Sequence, residues 1–211
     1  MSDNYAIQLT RARAQFLTYD QAAMCARLGL PMTETEIPVR FLGEVLRIER
    51  ETGAVLRPDG APASFGAAMA VYDALARDND PALAGEFVPT SALHGIRGTH
   101  AVHEDLHNPA AQRFAGKAGA LEAALVALGG RKWPGPGDVA YVLDVFDFFP
   151  VCVRFWDADD EFPASLQFLW DLNAPDFLYY ETLWYVMDEI LSRLTAALGS
   201  PTGGAGSAAR R

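Results

Sequence analysis

The chain has 211 residues, half of them hydrophobic and 21% charged, a balance that supports an ordinary core and excludes the composition of an intrinsically disordered protein. Its formal net charge is -10, and Arg11, Arg13, Arg27, Arg40, Arg47 and Arg50 are scattered among acids, which excludes a basic stripe for nucleic acid. Cys25 and Cys152 form no metal motif and suggest no disulfide framework, so a reducing compartment is expected. No basic segment followed by an apolar one opens the chain, and no apolar run approaches about 18 residues. A cytoplasmic protein without a membrane span is the expectation.

In chain order, Leu9, Ala12, Phe16, Ala23 and Leu28 recur at about 3.6 residues and Gly29-Leu30-Pro31 supplies a stop, which predicts one amphipathic helix from Ala6 to Leu28. Val39–Leu42, Val45–Arg50 and Val55–Arg57, separated by turn residues, predict a small antiparallel meander. Ser64 caps a helix running to Arg77, with Ala68, Val71, Tyr72 and Leu75 inward. From Asp78 to Gly98 the chain reads as loop with a short strand at Phe87-Val88. A helical pattern resumes after Asn108-Pro109 through Phe114, Leu121, Leu125 and Leu128, and Gly129-Gly130 ends it. Val139–Phe146, Val151–Trp156 and Leu166–Asp171 then predict a second antiparallel group, followed by a helix over Tyr180–Leu198. Because strands arrive in runs, the order predicts an α+β domain over residues 1–198, with antiparallel sheets packed by about four to five helices. Residues 199–211, rich in Gly, Ser and Ala, should form a disordered tail.

The four histidines, His94, His100, His103 and His107, fall within 14 residues, and His103-Glu104-Asp105-Leu106-His107 matches His-Glu-x-x-His. On a helix, positions i and i+4 share a face, so two imidazoles can converge on one ion while Glu104 reaches the metal-bound water as general base. His100 could add a third nitrogen and Glu122 a carboxylate. The context opposes a protease, because Asn108-Pro109 closes the helix immediately after His107. Three readings stay open: a cluster without metal, binding of zinc, iron or a haem or corrinoid without hydrolysis, and a zinc hydrolase.

Asp157, Asp159, Asp160 and Glu161 resemble hard-cation ligands but lack the glycine and terminal glutamate of an EF-hand, so a solvated turn between strands is the plainer reading. The aromatics of the last third, Trp156 and Trp170 among them, could line a pocket for a planar cofactor, or could simply form core. No Gly-x-Gly-x-x-Gly, Walker A or Gly-x-Ser-x-Gly segment is present.

Leu128-Gly129-Gly130, Gly137-Asp138-Val139-Ala140, Phe149-Pro150-Val151 and the run from Trp156 to Pro163 together resemble the domain of unknown function 3786 family of anaerobic bacteria and archaea. The likeness continues through Leu169-Trp170-Asp171 and Phe177–Glu181, covers about Leu121–Leu198, and reaches back to Gly85-Glu86-Phe87-Val88. The resemblance implies no agreed activity, but it implies company with iron–sulfur and corrinoid-related proteins of anaerobic metabolism. It also makes Asp160, Glu161, Asp171 and Glu181 candidate polar positions. The histidines depart from the family pattern, which favours aromatics there, and the cysteine-rich extension of some relatives is lacking. The leading expectation is a non-catalytic accessory protein that binds a metal or metal-bearing tetrapyrrole through His94, His100, His103, His107, Trp156 and Trp170. The rivals are a zinc hydrolase built on Glu104 and an acidic protein-interaction module; the partner is a small ligand or another protein, not nucleic acid or membrane.

The tail holds no large apolar residue, so removing residues 200–211 should leave the melting temperature unchanged to within a few degrees. A larger fall, measured by thermal denaturation, would show that the tail docks.

Overall fold

A computed structural model describes residues 2–77, 82–95 and 109–199. Two helices open the chain, α1 (Ser2–Phe16) and α2 (Gln21–Leu28), followed by the meander β1 (Glu36–Phe41), β2 (Glu44–Glu49) and β3 (Val55–Leu56). Helix α3 (Phe65–Ala76), strand β4 (Phe87–Pro89) and 3-10 turns at Thr90–Ala92 and Pro109–Arg113 lead to α4 (Ala118–Ala127). Then come β5 (Arg131–Lys132), β6 (Val139–Phe146), β7 (Phe149–Trp156), β8 (Ser165–Asp171), α5 (Ala174–Phe177) and α6 (Tyr180–Gly199). The fold is α+β, with two antiparallel sheets ordered β1-β2-β3 and β4-β8-β7-β6-β5.

The expected single helix from Ala6 to Leu28 is two helices. Asp20 interrupts it by accepting the N–H groups of Ala22 and Ala23, both at 3.0 Å, which caps α2 as a new start and leaves Ala23 exposed. The expected helix after Pro109 is likewise broken. The 3-10 turn stops at Arg113, Gly116 follows at φ +71° in a conformation that a helix cannot continue, and α4 begins only at Ala118. Strand β5 and helix α5 carry too few residues for a periodic signal. The Ser64 cap is as expected, its hydroxyl accepting the Ala67 N–H at 3.1 Å. Of the expected disordered tail, Gly199 is the last residue of α6, and residues 200–211 lie outside the described residues.

The two sheets are joined at one irregularity. A bulge in β6 between Asp144 and Phe146 frees the Val145 carbonyl from the ladder, and it accepts the Leu42 N–H at 2.9 Å. Leu42 occupies the two-residue β1–β2 turn at φ +48°, a conformation costing a leucine about 1–2 kcal/mol. Its side chain is 2% exposed, so burial offsets that strain. From α6, Arg193 donates to the Leu42 carbonyl at 3.1 Å and to Glu44 at 3.2 Å, which ties the turn to the last helix.

Asp73 secures the other end of α6. Its buried carboxylate accepts the Tyr179 N–H at 2.6 Å at the helix start, with Arg77 3.6 Å away. Burial pushes the Asp73 carboxyl above its ordinary value of 3.8, against the Tyr179 and Thr182 hydrogen bonds and the Arg77 charge. A raised native value means that the folded protein holds this proton more tightly than the unfolded chain. The contribution is therefore fully present below 3.8 and lost as pH rises through the raised value. Asp73→Asn cannot titrate, so its stability relative to the parent should improve as pH rises through that window. Denaturant melts across acidic pH check this, and a difference independent of pH contradicts it.

Candidate functional site

Alternation along the central strands sorts side chains between two faces of the large sheet. Phe149, Val151, Val153 and Phe155 of β7, with Leu166, Phe168 and Trp170 of β8, enter the core. The opposite face presents Arg154 paired with Gln167 and Trp156 paired with Ser165, all four half-buried. Trp156, Ser165 and Gln167 border a cleft of about 670 Å³ at the β7–β8 end of the sheet, together with Asp138, Asp157, Asp159, Phe162, Pro163, Pro109 and Gln112. That volume lies within the roughly 300–1,000 Å³ typical of small-ligand sites.

The β7–β8 turn is built from carboxylates that accept backbone N–H groups. Asp159 accepts from Phe162 at 2.7 Å and Glu161 at 2.9 Å, and these bonds hold its carboxyl below the ordinary range. Asp157 accepts from Gly116 at 2.7 Å and Ala158 at 2.8 Å, fastening the turn to the segment before α4. Asp138 accepts the Asp157 N–H at 2.7 Å. The acidic run is thus an ordered turn, with Asp160 and Glu161 exposed on it. Phe162 is 66% exposed, so its ring serves the cleft wall and not the core.

The other candidate residues are dispersed. Trp170 is 1% exposed and donates through its indole to Thr90 at 3.2 Å, which makes it part of the core. Asp171, also 1% exposed, accepts the N–H groups of Ala84, Gly85 and Asn173 at 2.8–2.9 Å and so anchors the segment before β4. Glu181 is exposed in the first turn of α6. Glu122 accepts from the Tyr141 hydroxyl at 2.7 Å and Lys132 at 3.4 Å; those two partners hold its carboxyl low. His94 is exposed just after the 3-10 turn at Thr90–Ala92. His100, His103, Glu104 and His107 lie outside the described residues.

Burial pushes the Cys152 thiol up to about 12 and raises Cys25 as well, which keeps both as neutral thiols near pH 7. Among the described residues no group of three His, Cys, Asp or Glu side chains could hold a metal ion. Gln167, Ser165, Asp138 and Arg154 were not singled out by sequence reasoning. The available signal was the two-residue alternation of Arg154 with Trp156 and of Ser165 with Gln167.

Compared with known protein families, residues 20–193 match the family described as Domain of unknown function (DUF3786), and the chain belongs to that family. No curated protein and no solved structure matches it. Among the described residues no helix is long and apolar enough to cross a membrane.

Because the turn carboxylates are satisfied by backbone N–H groups, millimolar calcium or magnesium should not raise the melting temperature. A saturable, ion-dependent rise that vanishes in Asp159→Asn would contradict this structural reading of the turn.

Proposed function

We propose that this domain is a non-catalytic, cytoplasmic binding protein, an accessory of anaerobic metabolism, that holds a metal-bearing tetrapyrrole in the cleft beside the β7–β8 turn. The observation that carries the reading is the cleft, whose wall combines an exposed Phe162 ring and a half-buried Trp156 with Ser165, Gln167 and Gln112. Aromatic and proline surfaces suit the face of a flat ligand, and amide and hydroxyl groups suit its polar edge. Trp156 and Phe162 would hold the ring, while His103 or His107 would supply the metal contact from the segment that ends beside Pro109. Both cysteines are buried neutral thiols, which argues against thiolate ligation of a bare ion. The anaerobic setting follows from what the family resemblance implies.

Absorption spectroscopy with elemental analysis of protein purified anaerobically tests the reading. A visible band should survive purification and disappear in Trp156→Ala and in at least one of His103→Ala and His107→Ala, with Glu104→Gln leaving it intact. Stoichiometric zinc without a chromophore would overturn it in favour of a hydrolase using Glu104. Neither metal nor chromophore would leave the acidic interaction module.

A further inference from the structure

Eight ion pairs among the described residues engage Arg40, Arg47, Arg57, Arg77, Arg131, Lys132 and Arg193, but none engages Arg154. Arg154 is half-buried on the outer face of the large sheet, with its guanidinium carbon 5.0 Å from the Trp156 ring centroid and 5.8 Å from that of Trp133. Its one hydrogen bond goes to a neutral acceptor, Nη2 donating to Gln167 Oε1 at 2.7 Å. Nε is buried without a hydrogen-bond partner among the described residues. A guanidinium partly withdrawn from water with no carboxylate paired to it among the described residues is costly, and the flanking rings recover only part of that cost. The Nη end of such a group, with one Nη2 N–H given to Gln167, can still meet an oxyanion through Nη1 and the second Nη2 N–H.

We infer that the ligand of the cleft carries an oxyanion, a carboxylate or a phosphate, that docks at Arg154 between Trp133 and Trp156. The inference rests on the cleft reading above, and it specifies the chemistry of one edge of the ligand. Trp156 and Gln167 belong both to the cleft wall and to the surroundings of Arg154, so the cation stands directly behind that wall, one side chain from the space a ligand would fill. With Gln167 Oε1 turned toward Arg154, the amide N–H donors of Gln167 stay available to an anionic acceptor. Charge is therefore graded along β7. The cation stands two residues inside Trp156, and Asp157 and Asp159 stand beyond it on the turn. A ligand with an acidic edge has one orientation in which that edge meets Arg154 and avoids the carboxylates.

The four tryptophan indoles give separate reporters in ¹H–¹⁵N spectra, with Trp133 and Trp156 assigned from Trp133→Phe and Trp156→Phe. Benzoate and inorganic phosphate serve as the two oxyanion probes, and benzamide as the neutral counterpart of benzoate, all at constant ionic strength. At least one oxyanion should shift the Trp133 and Trp156 indoles saturably while leaving Trp170 in place, and benzamide should bind at least tenfold more weakly than benzoate if benzoate is that probe. Arg154→Met should weaken oxyanion binding at least tenfold, and Arg154→Lys, which keeps the charge, should weaken it less. Benzoate and benzamide binding equally, with no response to phosphate, would overturn the oxyanion and leave the cleft reading intact; this comparison needs only the parent protein should Arg154→Met fail to fold. No saturable response to either oxyanion would also overturn it, while the cleft reading would still be decided by the absorption measurement.

Discussion

The register of β7 against β8 is the constraint on which both core and cleft depend. Arg154 faces Gln167 and Trp156 faces Ser165, while Val153 faces Phe168 and Phe155 faces Leu166 on the buried side. A slip of one residue would exchange the faces, driving a guanidinium and a carboxamide into the core and exposing a row of fully buried aromatics. The apolar side of the sheet thus fixes the polar side. The cleft inherits its geometry from packing that never touches a ligand, which keeps its walls set before anything binds.

The rest of the scaffold holds that sheet in place. The β6 bulge hands the Val145 carbonyl to the Leu42 turn of the meander, Arg193 clamps the same turn from α6, and Asp73 caps the other end of that helix from α3. These contacts bridge elements more than a hundred residues apart in the chain. They explain why both sheets and the helices share one hydrophobic core.

Much of the fold was legible because its elements obey local rules: the meander alternates and ends in Gly-containing turns, Ser64 caps α3, and the apolar stripe of α6 runs its whole length. Errors fell where one residue overrode a good period. Asp20 and Gly116 each broke an apparently continuous helix through a cap and a positive φ that the spacing of leucines does not encode. The cleft was less legible. Trp156 and Trp170 look alike in sequence, yet one lines the cleft and the other fills the core, because β8 turns Trp170 inward beside Thr90. Arg154 looks like any strand arginine until it is seen to form no ion pair among the described residues, and that is a property of tertiary contacts alone. The acidic run was readable as a turn, since closely spaced aspartates commonly accept the N–H groups that follow them.

The fold supplies a cleft with an aromatic wall and carboxylates on its turn, with Arg154 behind Trp156 and Gln167, and the proposed ligand is read from that arrangement. The central claim is that the cleft between Trp156 and Phe162 is where a ligand resides. A crystal structure of the protein purified anaerobically, without added ligand, tests it most directly. The account predicts density for a flat ligand against Trp156 and Phe162 with its acidic edge at Arg154, whereas an empty cleft, or a ligand bound elsewhere on the molecule, would contradict it.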